Sequence, residues 1–65
     1  MTARFKVVSG STTGHCCFDA SVVDTVIEAM PENEHKPGAW TVCECFAVSD
    51  AERICARLNY ADAEK

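Results

Sequence analysis

The sequence predicts an α+β fold, a three-stranded antiparallel sheet with a C-terminal helix packed on one face, in the order ββ…βα. Three observations lead there. Two stretches of strand-forming residues flank a glycine-bounded loop early in the chain. A third extended stretch follows a proline-containing interruption, and the last quarter of the chain carries apolar residues at helical spacing. With 65 residues, 48% of them hydrophobic and 25% charged, the chain matches one small globular domain, residues 1–65. A core of this size supplies roughly 3–5 kcal/mol, so global disorder and a multidomain enzyme are both excluded.

Residues 4–9 alternate charged and apolar side chains before meeting Gly10, Ser11, Thr12, Thr13 and Gly14, as a strand entering a hairpin loop does. A second strand is expected from His15 to about Val23, with Cys16, Phe18, Ala20 and Val22 on one face and His15, Cys17, Asp19 and Ser21 on the other. A helix capped by Asp19 competes for the same residues, because Val22, Val23, Val26, Ile27 and Met30 form a helical stripe. The reading adopted is a strand to Val23, then a short helical turn over residues 25–30 ended by Pro31. Residues 31–38 hold two prolines and no aliphatic side chain, so they read as a solvated loop.

The third strand is expected over residues 40–48, with Thr41, Cys43, Cys45 and Ala47 on one face. Trp40, Val42, Glu44 and Phe46 then share the other, an open face suited to a protein partner. Ser49 and Glu52 form a capping-box pattern, and Ala51, Ile54, Cys55 and Leu58 recur on one helical face, with Ile54 and Leu58 expected in the core. Asn59 marks the expected end of that helix, with residues 61–65 as a frayed tail.

The formal net charge is −4, but its distribution says more. From Asp19 to Glu52 there are eight acids against the single base Lys36. Phosphate binding needs Lys and Arg, so direct binding of DNA or RNA is disfavoured and a basic partner is favoured. The plainer alternative is that these acids only keep the protein in solution. The candidate partner-binding residues are Asp19, Asp24, Glu28, Glu32, Glu34 and Glu44, with Trp40 and Phe46 as aromatic anchors. The longest uncharged stretch, residues 7–18, is broken by two glycines and is too short for a membrane span, and residues 1–8 lack the apolar core of a secretory signal. A cytoplasmic monomer without a cofactor is expected.

Five cysteines include the pairs Cys16-Cys17 and Cys43/Cys45. Zinc sites favour ligand pairs two to four residues apart on a turn, so zinc would require His15 and Cys17 to converge with Cys43 and Cys45. The simpler reading makes Cys43, Cys45 and Cys55 small core residues. An enzyme is not expected. His15 beside Cys16 and Cys17 has no orienting third group, and the Gly10 to Gly14 loop lacks the lysine and following helix of a phosphate cradle.

The stretches 42–46 (VCECF), 50–54 (DAERI) and Leu58-Asn59, with 15–25 (HCCFDASVVDT), resemble segments of small phage-encoded and prophage-encoded proteins. The resemblance covers about two thirds of the chain and departs over residues 26–39. Such proteins include anti-CRISPR inhibitors, some of which act as DNA mimics. The resemblance therefore implies a binding protein that blocks a host defence complex in the bacterial cytoplasm, for example a type I surveillance complex, by occupying a basic surface. Its alternatives are a phage accessory protein with another protein partner and a small zinc-binding module.

Overall fold

The computed structural model describes residues 3–64. Strands β1 (Phe5–Ser9), β2 (Ala20–Asp24) and β3 (Thr41–Cys45) form one antiparallel sheet with β2 in the centre. Short helices α1 (Thr25–Glu28) and α2 (Pro37–Trp40), with a single 3-10 turn at Pro31–Asn33 between them, link β2 to β3. The long helix α3 (Val48–Ala63) packs across all three strands. This is the predicted α+β architecture.

The core between sheet and helix is built from small side chains. Ala20, Val22, Cys45, Ala51 and Cys55 are buried there, with Phe5, Val7, Cys43 and Leu58 packed around them. Small residues let the helix axis approach the sheet closely, and the cysteines act as compact apolar groups. Burial raises the thiol pKa of Cys43 and of Cys55, which keeps both protonated and inert.

Several boundaries differ from the sequence reading. β2 begins at Ala20 because His15, Cys16, Cys17 and Phe18 form a turn instead of extending the strand. The turn region at 25–30 contracts to α1, whose first N–H groups are taken by Asp24: its carboxylate accepts from Val26 N at 3.0 Å and Ile27 N at 3.3 Å. Residues 31–38, expected as plain loop, hold the 3-10 turn and the start of α2, and each of these short helices places a proline at its first turn, where no N–H is needed. Trp40 thereby belongs to α2 and not to β3.

The third strand contains a bulge. Val22 pairs with Cys43 and Val23 with Thr41, so Val42 is an extra residue on β3. The shift moves Thr41 off the helix-facing side, where it was expected beside Cys43, to the side shared by Val23 and Glu44. That second side is not open as expected: every residue of β2 is buried, including Ser21 and Val23.

Helix α3 is longer than predicted at both ends. It begins at Val48 with Ala47 at its N-cap and no side-chain cap, so the Ser49/Glu52 capping box does not form: Ser49 already lies inside the first turn. The link from β3 is only Phe46 and Ala47, which sets the helix start by geometry. At the other end the helix runs through Asn59 to Ala63, and Lys65, in the expected tail, lies outside the described residues. Its inward stripe is Ala51, Cys55, Leu58, Asn59 and Asp62, a rotation that leaves Ile54 at 39% exposure and not in the core.

Candidate functional site

The loop between β1 and β2 folds back over the side of the sheet opposite α3. Gly10 and Gly14 adopt positive φ, at 75° and 90°, which turns the chain sharply at either end of the Ser-Thr-Thr run. Ser21 Oγ donates to Gly10 O at 2.8 Å, and the Thr12 and Thr41 hydroxyls meet at 2.5 Å. Glu44 is the hub: it accepts from the Ser11 and Thr13 hydroxyls, and His15 Nδ1 stands 3.6 Å away. The Ser11 and Thr13 bonds hold the Glu44 carboxyl below its ordinary range. Its side chain is only 12% exposed.

Asp24 is likewise committed to the fold. Arg4 forks onto it with Nε at 3.0 Å and Nη2 at 2.8 Å, and Arg4 Nη1 reaches Asp62 at 3.5 Å. The Arg4 hydrogen bond holds the Asp24 carboxyl below the usual carboxylate range, assisted by the α1 N–H groups. Of the six candidate acids, Asp24 and Glu44 therefore hold the fold together. Asp19, Glu32 and Glu34 are exposed, Glu34 with His35 at 3.6 Å, and Glu28 lies half-exposed with Lys6 at 3.1 Å. Asp50 and Glu52 add two exposed acids on α3.

The expected aromatic face divides. Trp40 is half-buried in α2, Val42 sits on the bulge at 45% exposure, and Phe46 projects at 69% exposure beyond the end of β3. Phe46 stacks instead on Phe18 from the turn, with ring centroids 4.9 Å apart. Beside this pair a groove of about 740 Å³ runs along α3, lined by Phe46, Asp50, Arg53, Ile54, Arg57 and Leu58 among others. Sequence reasoning missed this surface. Its signal was a second stripe, Asp50, Arg53, Ile54 and Arg57, at the same helical spacing as the core stripe.

The cysteine pairs do not converge. Cys43 and Cys45 face the α3 core, whereas His15, Cys16 and Cys17 lie in the exposed turn, so a four-ligand site drawn from both pairs is not formed. Among the described residues no group of three or more His, Cys, Asp and Glu side chains is arranged to hold a metal ion, and no helix is long and apolar enough to cross a membrane. No protein-family model, curated protein or solved structure matches the chain.

Proposed function

We propose that this chain is a small acidic binding protein that inhibits a host defence complex by covering a basic surface that otherwise receives nucleic acid. The observation that carries the reading is the fate of the acids in the fold. Between Asp19 and Glu52, Asp24 and Glu44 are tied into the fold, Glu28 pairs with Lys6 and Asp50 with Arg53 at the surface, and Asp19, Glu32, Glu34 and Glu52 stay exposed with no Lys or Arg among the described residues paired to them. A surface of that sign attracts a basic protein channel and repels DNA. The resemblance to small phage proteins supports a defence complex as the target class.

The test is a pull-down of purified CRISPR surveillance complex subunits, type I included, followed by competition with target DNA. Binding that target DNA displaces is the expected result. Failure to bind any subunit removes the inhibitor reading. A second reading, an accessory protein with another protein partner, is favoured by exposed Phe46, stacked on half-buried Phe18 beside the α3 groove. On that reading, Phe46→Ala abolishes binding while the acids are dispensable.

A further inference from the structure

The His15 to Phe18 turn presents two thiols to solvent. Cys16 and Cys17 are both exposed, and their sulfurs stand 3.9 Å apart. The turn is closed by Phe18 N donating to His15 O at 3.5 Å and is pinned at both shoulders. On one side, His15 N donates to Ser11 Oγ at 2.9 Å and the His15 ring meets Thr13 Oγ1 at 2.7 Å. On the other, Phe18 stacks on Phe46 and Asp19 N donates to Cys45 O at 3.0 Å. The pair is therefore held in place before any ligand arrives, which lowers the ordering cost of binding.

Geometry separates what such a pair can do. The trans peptide joining Cys16 to Cys17 fixes their Cα atoms about 3.8 Å apart, inside the roughly 4.4 Å lower limit for an unstrained disulfide, so a direct S–S bond here is strained and easily reduced. An inserted ion removes that conflict. Two metal–thiolate bonds of about 2.3 Å span at most about 4.6 Å between sulfurs, so sulfurs already 3.9 Å apart reach one ion with little side-chain movement. No third His, Cys, Asp or Glu among the described residues completes a cage, which disfavours structural zinc and suits a soft ion satisfied by thiolates. The other three cysteines, Cys43, Cys45 and Cys55, are in or against the core and do not compete.

We propose that Cys16 and Cys17 form a chelating dithiol site for a soft, thiophilic ion of the Cu(I) class. Binding breaks two S–H bonds, releases two protons to solvent and forms two S–Cu bonds, with no change of oxidation state. This site is independent of the acidic surface and stands or falls apart from it.

The test titrates the reduced, folded protein with Cu(I) against a chromogenic Cu(I) chelator and counts bound ions by native mass spectrometry. One Cu(I) per chain is expected. Because chelation makes the second bond intramolecular, Cys16→Ser and Cys17→Ser should each weaken binding on the order of 100-fold, and the double variant should bind no ion. Circular dichroism checks that these variants remain folded. Phenylarsine oxide gives a readout on the unaltered chain. Two As–S bonds should form as the arsenic-bound oxygen leaves as water with both thiol protons, adding one phenylarsenic group per folded chain. Single variants that match the unaltered protein, a Cu(I) bridging two chains, or an ion retained by the double variant would each overturn the assignment.

Discussion

The side-chain amide of Asn59 does for Phe5 what a neighbouring strand would do. Asn59 Oδ1 accepts the Phe5 N–H at 2.8 Å while Asn59 Nδ2 donates to the Phe5 carbonyl at 3.0 Å. β1 is an edge strand, and an unpaired edge invites pairing with another chain. One residue of α3 thus satisfies both backbone groups of Phe5 and ties the helix to the sheet edge. The tie also explains why the helix does not end at Asn59: the amide that would have capped a terminus is engaged with another element.

Asn59→Ala should therefore leave two Phe5 backbone groups without their partner and cost about 1–3 kcal/mol, a large share of a small domain's stability. Urea denaturation measures it. Asn59→Asp keeps the acceptor but loses the donor, so it should fall between the two. A variant at Asn59 that unfolds at the same urea concentration as the unaltered protein would contradict the role.

The rotation of the helix stripe yields a second test. Leu58 packs against the core cluster whereas Ile54 stands at 39% exposure beside the groove. Leu58→Ala should cost about 2–3 kcal/mol and Ile54→Ala less than about 1 kcal/mol. Had the stripe run through Ile54, as the sequence spacing suggested, the two costs would be comparable. Thermal melts of the pair distinguish the cases.

Both outcomes bear on what was legible in the sequence. Alternation in residues 4–9, the small residues of β3 and the apolar spacing of α3 marked the elements correctly, although the α3 stripe turned to leave Ile54 outside and the Ser49/Glu52 cap did not form. Most of the other failures were decided by contacts distant in the chain. The bulge at Val42 is set by pairing with β2, and it reversed the side on which Thr41 lies. Glu44 read as a free surface acid until the loop 33 residues earlier folded over it, as its bond to Ser11 records. Asp24 has a local signal, since an acid before Thr25 reads as an N-cap, but its Arg4 partner is 20 residues away. The candidate site suffered most because its acids look alike in sequence, and only tertiary partners divide the structural from the free.

Asp24 also sets a pH dependence. Its carboxyl is held below the usual range by Arg4, so near that range the unfolded chain binds more protons than the folded one and stability rises with pH. The contribution is complete above the unfolded value of about 4 and is lost as pH falls through the lowered folded value. Glu44, lowered by Ser11 and Thr13, acts in the same direction. The urea midpoint should fall steadily from about pH 5 to about pH 2. In Asp24→Asn, which retains an oxygen for the α1 cap, the slope should be shallower and the midpoint at neutral pH lower. An unchanged slope would assign the acid sensitivity elsewhere.

The acidic-surface proposal makes its sharpest claim about which acids matter. Asp19, Glu32 and Glu34 are exposed, so replacing them in pairs with Lys should leave stability within about 0.5 kcal/mol, whereas Glu28→Lys would also set two lysines together at the Lys6 pair. Asp24 and Glu44 are unsuitable for the same test, because reversing either breaks the Arg4 fork or the Ser11–Thr13 loop. If binding to a basic channel is charge-driven, it should weaken steeply as salt shortens the Debye length from about 10 Å to about 3 Å. The paired Lys variants should show the same loss at low salt, mostly through slower association. Arg53→Glu with Arg57→Glu, on the α3 groove, should leave a basic partner's binding intact or improve it. Surface plasmon resonance against the captured subunit reads both rates. Paired Lys variants that bind as well as the unaltered protein, together with loss of binding on reversing Arg53 and Arg57, would move the interface from the acids to the groove beside Phe46.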